Sequence, residues 1–487
     1  MGIQVDREEF TAEDHAQFAV RLRQNLEVLQ EMLGRPGFGA SEPSTGVEVE
    51  MHLVDAAFQP ACVNQAVLAQ VADARCTVEI DAFNFELNSE PRTLTGRVFG
   101  QLGDELTELL DKVRAGAAAN GASVLLAGTL PTLTSEHLQH PVFSDSPRYR
   151  AMSNALRKQR GAPFTVNIEG RESLSTSCND LALEGANASL QVHLRVSAAD
   201  FADVYNAAQL AAAPLVAASS NSPYLDGKCL WEETRIALFQ QATDTRRGEH
   251  ARRSRLARVS FGPGFAHDAL DLFRYNAAAY EPLMPVVSKR DTVDGVPALD
   301  ELRLHLGTVW NWNRAVYDPS CGGHLRIEHR VVASGPTRLD MLANTAFTLG
   351  LSLGLAPLMP SWLKDFPFAW VEQNLYSAAK HGLDAQLAWP SHRGPSPRLC
   401  RAREIVLELL PIAEKGLVRH GVDRDEAADL LAIVKERAES GQTGAAVQRR
   451  WVTRFEHDLP RPRALARMVG EYLPRSAEDV PVHRWQL

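Results

Sequence analysis

The sequence predicts an α+β protein: a curved, mainly antiparallel β-sheet with helices packed on its outer face, and a helical C-terminal region. Three observations predict it. Four stretches alternate apolar and polar residues at period two, the pattern of strands buried on one face. The segments between them carry apolar residues at helical spacing. Beyond Arg393 the pattern is helical, at 401–415, 424–439 and 443–457.

Thr11 to Gly34 reads as an amphipathic helix. Thr11 supplies a cap with Asp14 three residues on, Phe18, Leu22, Leu26 and Leu29 form the apolar stripe, and Gly34 and Pro36 end it. The first strand is TGVEVEMHLVD, Thr45 to Asp55. Val47, Val49, Met51 and Leu53 point one way; Glu48, Glu50 and His52 point the other. Carboxylates two residues apart on one strand face lie about 7 Å apart, and they repel unless solvated or neutralised by a cation. For one strand alone a solvated outer face is a sufficient account. Residues 77–90 form a second extended stretch, with Val78 and Ile80 alternating with Glu79 and Asp81. The phase slips at Ala82–Phe83, which predicts a bulge. After it Phe83, Phe85 and Leu87 make the apolar face and Asn84, Glu86 and Asn88 the polar one. A helix at 100–119 and a strand at 123–130 follow.

Ser146 to Arg160 is a basic helix, read as a solvated face. The third strand is ANASLQVHLRV, 186–196: Leu190, Val192 and Leu194 against Ser189, Gln191, His193 and Arg195. An Ala-rich helix runs from Ser197–Asp200 to about Ser220. Residues 231–243 are helical and carry Glu232, Arg235 and Gln240. Arg246 to Arg258 holds six arginines in thirteen residues, a solvated loop or a lid over phosphate groups. Residues 301–313 read as helix. The fourth strand is HLRIEHRV, His324 to Val331, with Leu325 and Ile327 against His324, Arg326, Glu328 and Arg330. Met341 to Pro360 is apolar and long enough to span a bilayer, but Asn344, Thr345, Thr348, Ser352, two glycines and two prolines make it a buried core helix. The Gly-Pro-Ser-Pro run at 394–397 marks a boundary between residues 1–395 and a helical region, 396–487, packed on the same unit.

The chain has 487 residues, 45% of them hydrophobic, enough for a large core. A net charge of −9 supplies no basic surface for nucleic-acid phosphates. The six cysteines are scattered, with no C-x-x-C, which suits a reducing compartment and argues against structural zinc. The N-terminal MGIQVDREEF lacks the basic and apolar segments of a signal peptide. The expectation is a cytoplasmic protein acting on small molecules, with neither nucleic acid nor membrane as partner.

The four strands together carry the functional signal. In one curved sheet, Glu48, Glu50, Glu86, Gln191, His193, Arg326, Glu328 and Arg330 make a common polar floor. Carboxylates with one histidine suit a hard divalent cation, Mg²⁺ or Mn²⁺. Guanidinium groups beside them suit phosphate or carboxylate. Metal, phosphate and carboxylate together suggest phosphoryl transfer to or from a carboxylate. No G-x-x-x-x-G-K-[ST], no G-x-G-x-x-G after a strand, no H-E-x-x-H and no G-x-S-x-G occurs, so a nucleotide site would be built from strand side chains.

These pieces resemble the glutamate–cysteine ligase and carboxylate–amine ligase family, whose catalytic domain is similar to that of glutamine synthetase. The matching segments are GVEVEMHLVD at 46, FNFELNSEP at 83, RYRAM at 148, EGANASLQVHLRV at 184, NSPYLDGKCLWEETRIALFQQ at 221, TVWNWNR at 308 and HLRIEHRVVASGPT at 324. The resemblance implies that residues 1–395 are an ATP-dependent ligase domain. It implies that Glu48, Glu50, Glu86, His193 and Glu328 hold the Mg²⁺ ions of ATP, and that Arg330 steadies the transferring γ-phosphoryl group. Arg235 becomes a candidate for a substrate carboxylate or a phosphate, and Gln191 and Arg326 for substrate, metal or nucleotide contacts. The implied reaction phosphorylates the γ-carboxylate of glutamate, and an amine then attacks the acyl phosphate. A role in glutathione biosynthesis and a homodimer are expected on the same ground. Two alternatives stay open: a ligase on the same scaffold joining another carboxylate or amine, and a non-catalytic protein that kept the ATP and Mg²⁺ site. Residue by residue, a cross-strand ion-pair ladder would account for Glu328 and Arg330, a core histidine for His193, a surface helix for Arg235 and packing for Trp310 and Trp312.

Overall fold

The computed structural model describes residues 5–139, 142–248, 255–390 and 397–486. Eight strands form one open sheet: β1 (Ser44–Val54), β2 (Cys76–Val78), β3 (Asn84–Asn88), β4 (Arg92–Thr93), β5 (Ser123–Leu125), β6 (Ser189–Val196), β7 (Asn313–Asp318) and β8 (His324–Ala333). The order across the sheet is β7-β8-β6-β1-β3-β2, with β4 and β5 pairing to the two ends of β1. All of these pairs are antiparallel.

The alternation read in the sequence is the cause of the layering. Val49, Met51, Leu190, Val192, Leu194, Leu325 and Ile327 are all fully buried. They face helices Phe201–Ser219 and Arg338–Leu355, which pack against this side of the sheet. The apolar stretch near 341–360 is such a core helix. Arg338–Trp362 is long and apolar enough to cross a membrane by composition, with a mean hydropathy of 1.4, yet 83% of its most apolar window is buried in the protein. Helix Ala402–Arg419 crosses it closely. A Cβ on Gly416 would lie 2.7 Å from the Gly354 nitrogen, and one on Gly350 2.7 Å from the Ala413 carbonyl oxygen. Helix Ala12–Leu33 starts at the predicted cap, with Thr11 and Asp14 bonded reciprocally.

Four expectations change. The extended stretch at 77–90 is a hairpin: Cys76 to Val78 pair antiparallel with Phe85 to Leu87. The phase slip is a chain reversal, with the Asn84 N–H donating to the Asp81 carbonyl at 2.8 Å. A reversal and a bulge both shift a period-two pattern. The helix at 301–313 ends at Leu306, and Asn313–Asp318 is a strand at the sheet edge. The strand at 123–130 is confined to Ser123–Leu125, and a last helix, Arg461–Ala477, follows the three read beyond Arg393. A separate hairpin joins Phe164–Glu169 to Ser173–Cys178. The boundary at 394–397 falls mostly outside the described residues, as do Arg252 and Arg253 of the arginine-rich run.

Candidate active site

Register brings the polar positions together. Directly opposed residues in an antiparallel ladder share a face. Glu50 stands opposite Glu86, Glu48 opposite both Asn88 and Gln191, and Glu328 opposite both His193 and Arg314. Arg326 stands opposite Arg195. Between His329 and Val332 the β8 register shifts by one, so Arg330 and Val331 together oppose Gln191. Such a bulge adds local twist and re-aims a side chain. Here the Arg330 guanidinium turns over the floor and donates to Gln191 Oε1 and, at 2.5 Å, to Glu328 Oε1.

The floor is a chain of direct contacts. His193 Nε2 is 3.0 Å from Glu48 Oε1. The Gln191 amide donates to Glu50 Oε1 at 2.7 Å, and the Ser189 N–H to Glu50 Oε2 at 2.6 Å. Arg314 donates to Glu328 Oε2 at 2.8 Å, and Asn88 to Glu86 Oε1 at 2.8 Å. The ionisation pattern splits in two. Burial works to raise the Glu328 carboxyl, but Arg314, Arg330 and His193 outweigh it and hold it well below the ordinary range. Burial also opposes ionisation of Glu48, and His193 and Arg330 leave it lowered. On the β1–β3 side the carboxylates face one another. Burial, reinforced by Glu48, Glu79 and Glu50, pushes Glu86 well up, and burial raises Glu50 against the pull of Arg330. Glu79, at the start of the β2–β3 reversal, is pushed up to about 8 by burial and by Glu50 and Glu48.

Two recesses open on the floor. The outer cleft, about 220 Å³, is lined by Glu48, Glu328, Arg314 and Arg326 together with Arg148 and Arg303. Arg326 is held there by Asp318 at 2.8 Å. The inner cavity, about 20 Å³, is lined by Glu50, Glu79, Glu184, Arg235 and Arg330. Burial and the neighbouring Glu79 and Glu50 hold the Glu184 carboxyl well above its ordinary value.

Arg235 is placed differently from a surface helix arginine. It is 2% exposed. Its Nη2 donates to the carbonyls of Val331 at 2.6 Å and Arg330 at 3.2 Å, and its Nε lies 3.3 Å from Glu233 Oε1. Its guanidinium sits 5.8 Å from the Trp312 ring. It therefore braces the bulge that aims Arg330. His52, read onto the polar face, is fully buried and stacks on Phe83. Arg314, Arg148, Glu184 and Arg303 were not singled out by sequence reasoning. Arg314 sits on the strand taken for helix. A signal for it existed in the alternation of Asn313, Ala315 and Tyr317 with Arg314, Val316 and Asp318. Arg148 belongs to the helix read as a solvated basic face. Its neighbour Tyr149 donates to the Val78 carbonyl at 2.9 Å, which docks that helix on the hairpin.

Residues 44–464 match the model of glutamate-cysteine ligase family 2 (GCS2). The chain belongs to the glutamate–cysteine ligase family. It is an ATP-dependent ligase of that family. In fold it is similar to glutamate–cysteine ligase from Francisella tularensis in complex with AMP, at a TM-score of 0.54 and 14% identity, over 92% of this chain and 95% of that one. It is also similar to the bifunctional glutathione synthetase from Pasteurella multocida, at a TM-score of 0.50 and 12% identity, over 96% of this chain and 55% of that one. No curated protein sequence matches the chain. The α+β architecture expected from the sequence, a mainly antiparallel sheet with packed helices and a helical C-terminal region, is the one observed.

The floor of this glutamate–cysteine ligase family member fits a hard divalent cation by its donor chemistry. Glu50, Glu79, Glu86 and Glu184 raise one another's carboxyls or are raised by burial, and a nearby cation removes that penalty. Among the described residues no three His, Cys, Asp or Glu side chains form a ready-made metal cage. Mg²⁺ does not require one, since it keeps several waters and takes one or two carboxylates beside substrate phosphates.

Proposed function

We propose that the chain joins the γ-carboxylate of glutamate to an amine, cysteine in the first place, at the expense of ATP. The observation that carries the reading is Arg330, aimed by the β8 bulge across a floor of carboxylates and held by Gln191 and Glu328. Glu48, Glu50, Glu86, His193 and Glu328 are the residues that would hold Mg²⁺ or Mn²⁺. When bound, the metal neutralises phosphate charge and orients the triphosphate.

The chain's own groups do the rest. Phosphoryl transfer needs positioning and charge stabilisation more than a protein nucleophile. A carboxylate oxygen of glutamate attacks the γ-phosphorus, the bond from γ-phosphorus to the β–γ bridging oxygen breaks, and ADP leaves. Arg330 donates to the equatorial oxygens as charge gathers there. Arg326, Arg314, Arg148 and Arg303 surround the outer cleft with guanidinium groups suited to phosphate and carboxylate. The amine nitrogen then attacks the acyl carbon, loses a proton, and the carbon–oxygen bond to phosphate breaks. Gln191 bridges Glu50 and Arg330, so it keeps the two halves of the floor in register. Arg235 acts through the bulge as a positioning residue.

The test is ADP release with Mg²⁺, ATP and L-glutamate, with and without L-cysteine, then with a panel of amino acids and amines. Release that requires glutamate and one amine together supports the reading and names the amine. Absence of stimulation by any pair, with ATP still bound, overturns it. A place in glutathione synthesis follows if the amine is cysteine.

A further inference from the structure

A second cleft, about 280 Å³, lies apart from the acidic floor and shares no lining residue with either recess there. It is walled by the segment 380–384, residues 170–171 and the turn before helix Gly444–Phe455. Four cationic side chains line it, Arg171, Lys380, Arg403 and Arg449, against two carboxylates, Glu232 and Asp384. The carboxylates are not equivalent. The Asp384 side chain is 79% exposed and its nearest cation, Arg403, is 3.9 Å away. Water screens that pair. The Glu232 side chain is only 10% exposed and pairs with Arg449, with Arg171 at 3.5 Å. Lys380 and Arg403 are left over. Lys380 makes no hydrogen bond or ion pair among the described residues, and Arg403 reaches the Glu439 carbonyl at 3.4 Å. Gly441 makes room for that guanidinium, since a Cβ there would lie 2.8 Å from Arg403 Nη2. An excess of positive charge lining a recess focuses the field on whatever enters. The Arg403 guanidinium and the Lys380 ammonium group, with Arg171 and Arg449 beside them, fit an oxyanion of two negative charges.

The cleft is also wired to the floor by one short run of chain. The Glu233 N–H donates to the Ala379 carbonyl at 2.8 Å, beside Lys380. Glu233 pairs with Arg235, and Arg235 holds the carbonyls of Arg330 and Val331. An anion that takes Arg449 and Arg171 away from Glu232 therefore acts on the segment that braces the β8 bulge.

We infer that this cleft is an effector site for a small dianion, phosphate or a short dicarboxylate, whose binding is felt at the floor through residues 232–235. The binding half is independent of the activity proposed above; the coupling half rests on it. The experiment is calorimetric titration of the full chain with inorganic phosphate and, separately, with succinate. Four proteins are compared: the natural chain, Lys380→Ala, Arg403→Ala and Arg330→Gln. One of the two anions should bind the natural chain and Arg330→Gln equally, and about tenfold or more weakly to each of the other two. The identity of the tighter anion separates a phosphate source from a dicarboxylate source. No saturable binding of either anion overturns the inference. So does equal binding to Lys380→Ala and Arg403→Ala, or loss confined to Arg330→Gln, which assigns the anion to the floor. For coupling, ADP affinity in the presence of Mg²⁺ is measured with and without saturating anion. A shift in the natural chain that vanishes in Lys380→Ala supports the connection, and no shift overturns it. A chain that binds the anion but turns over no substrate counts against the ligase reading alone.

Discussion

Arg235 separates two accounts of the site. If it contacts a substrate carboxylate, its loss should act on binding. If it braces the bulge, its loss should act on stability and on the aim of Arg330. Replacement by methionine keeps volume and removes the charge. Two charge-assisted hydrogen bonds to main-chain carbonyls disappear, at 2.6 and 3.2 Å, and Glu233 is left buried without its partner. Each such bond contributes about 1.5–3 kcal/mol. Protonation of Glu233, already favoured by burial, offsets part of the loss. Breaking a buried pair from one side costs about 3–5 kcal/mol overall. At roughly 2.1 cal/mol/K of unfolding entropy per residue, a chain of 487 residues unfolding as one unit carries roughly 1 kcal/mol/K, so Tm should fall by about 3–5 °C. Scanning calorimetry measures this, and steady-state kinetics of ADP release gives the second readout. The expected kinetic result is a fall in kcat with little change in KM for the carboxylate substrate. An unchanged Tm with KM raised tenfold or more would refute the bracing argument and return Arg235 to the substrate.

Other outcomes follow from the same geometry. Glu328→Ala leaves Arg314 and Arg330 without their shared carboxylate, and ATP turnover should drop at least about 100-fold, the loss typical of a removed charge-positioning group; circular dichroism checks that the chain still folds, and turnover near the natural rate would remove Glu328 from the site. Arg314→Ala should lower kcat although the sequence pattern did not single it out, and unchanged kinetics would confine the machinery to the residues read from sequence. The raised carboxyls of Glu50, Glu79 and Glu86 favour the protonated folded state, so they stabilise the metal-free protein below the ordinary carboxylate range and that contribution is lost as pH rises toward about 8, the value for Glu79. Melting of the metal-free chain should therefore move down between about pH 5 and 8, and the gain in Tm on adding Mg²⁺ should be larger at pH 8 than at pH 6; a gain independent of pH would contradict metal binding at these carboxylates. Gly416→Ala forces a Cβ against the Gly350 carbonyl and to 2.7 Å from the Gly354 nitrogen, and should destabilise the chain by about 1–3 kcal/mol, read in urea unfolding.

Alternation along a strand is a local property, and the sequence alone determined what depends on it. The apolar faces at 47–53, 190–194 and 325–327, the polar positions of the floor, the Thr11 cap and the buried character of 341–360 were all legible there. Register is not local. Period two is preserved by any even shift, so nothing in the individual strands says that Glu48 meets Gln191 or that Glu328 lies between His193 and Arg314. The bulge at Arg330–Val331 exists only as a mismatch between β8 and β6. The reversal after Val78 was hidden for a related reason, because a turn and a bulge produce the same slip of phase. Arg235 and Arg148 looked like helix-surface charges. Only packing decided that one braces the β8 bulge and the other lines the outer cleft, since a helical arginine is buried or solvated according to what the rest of the chain lays against it.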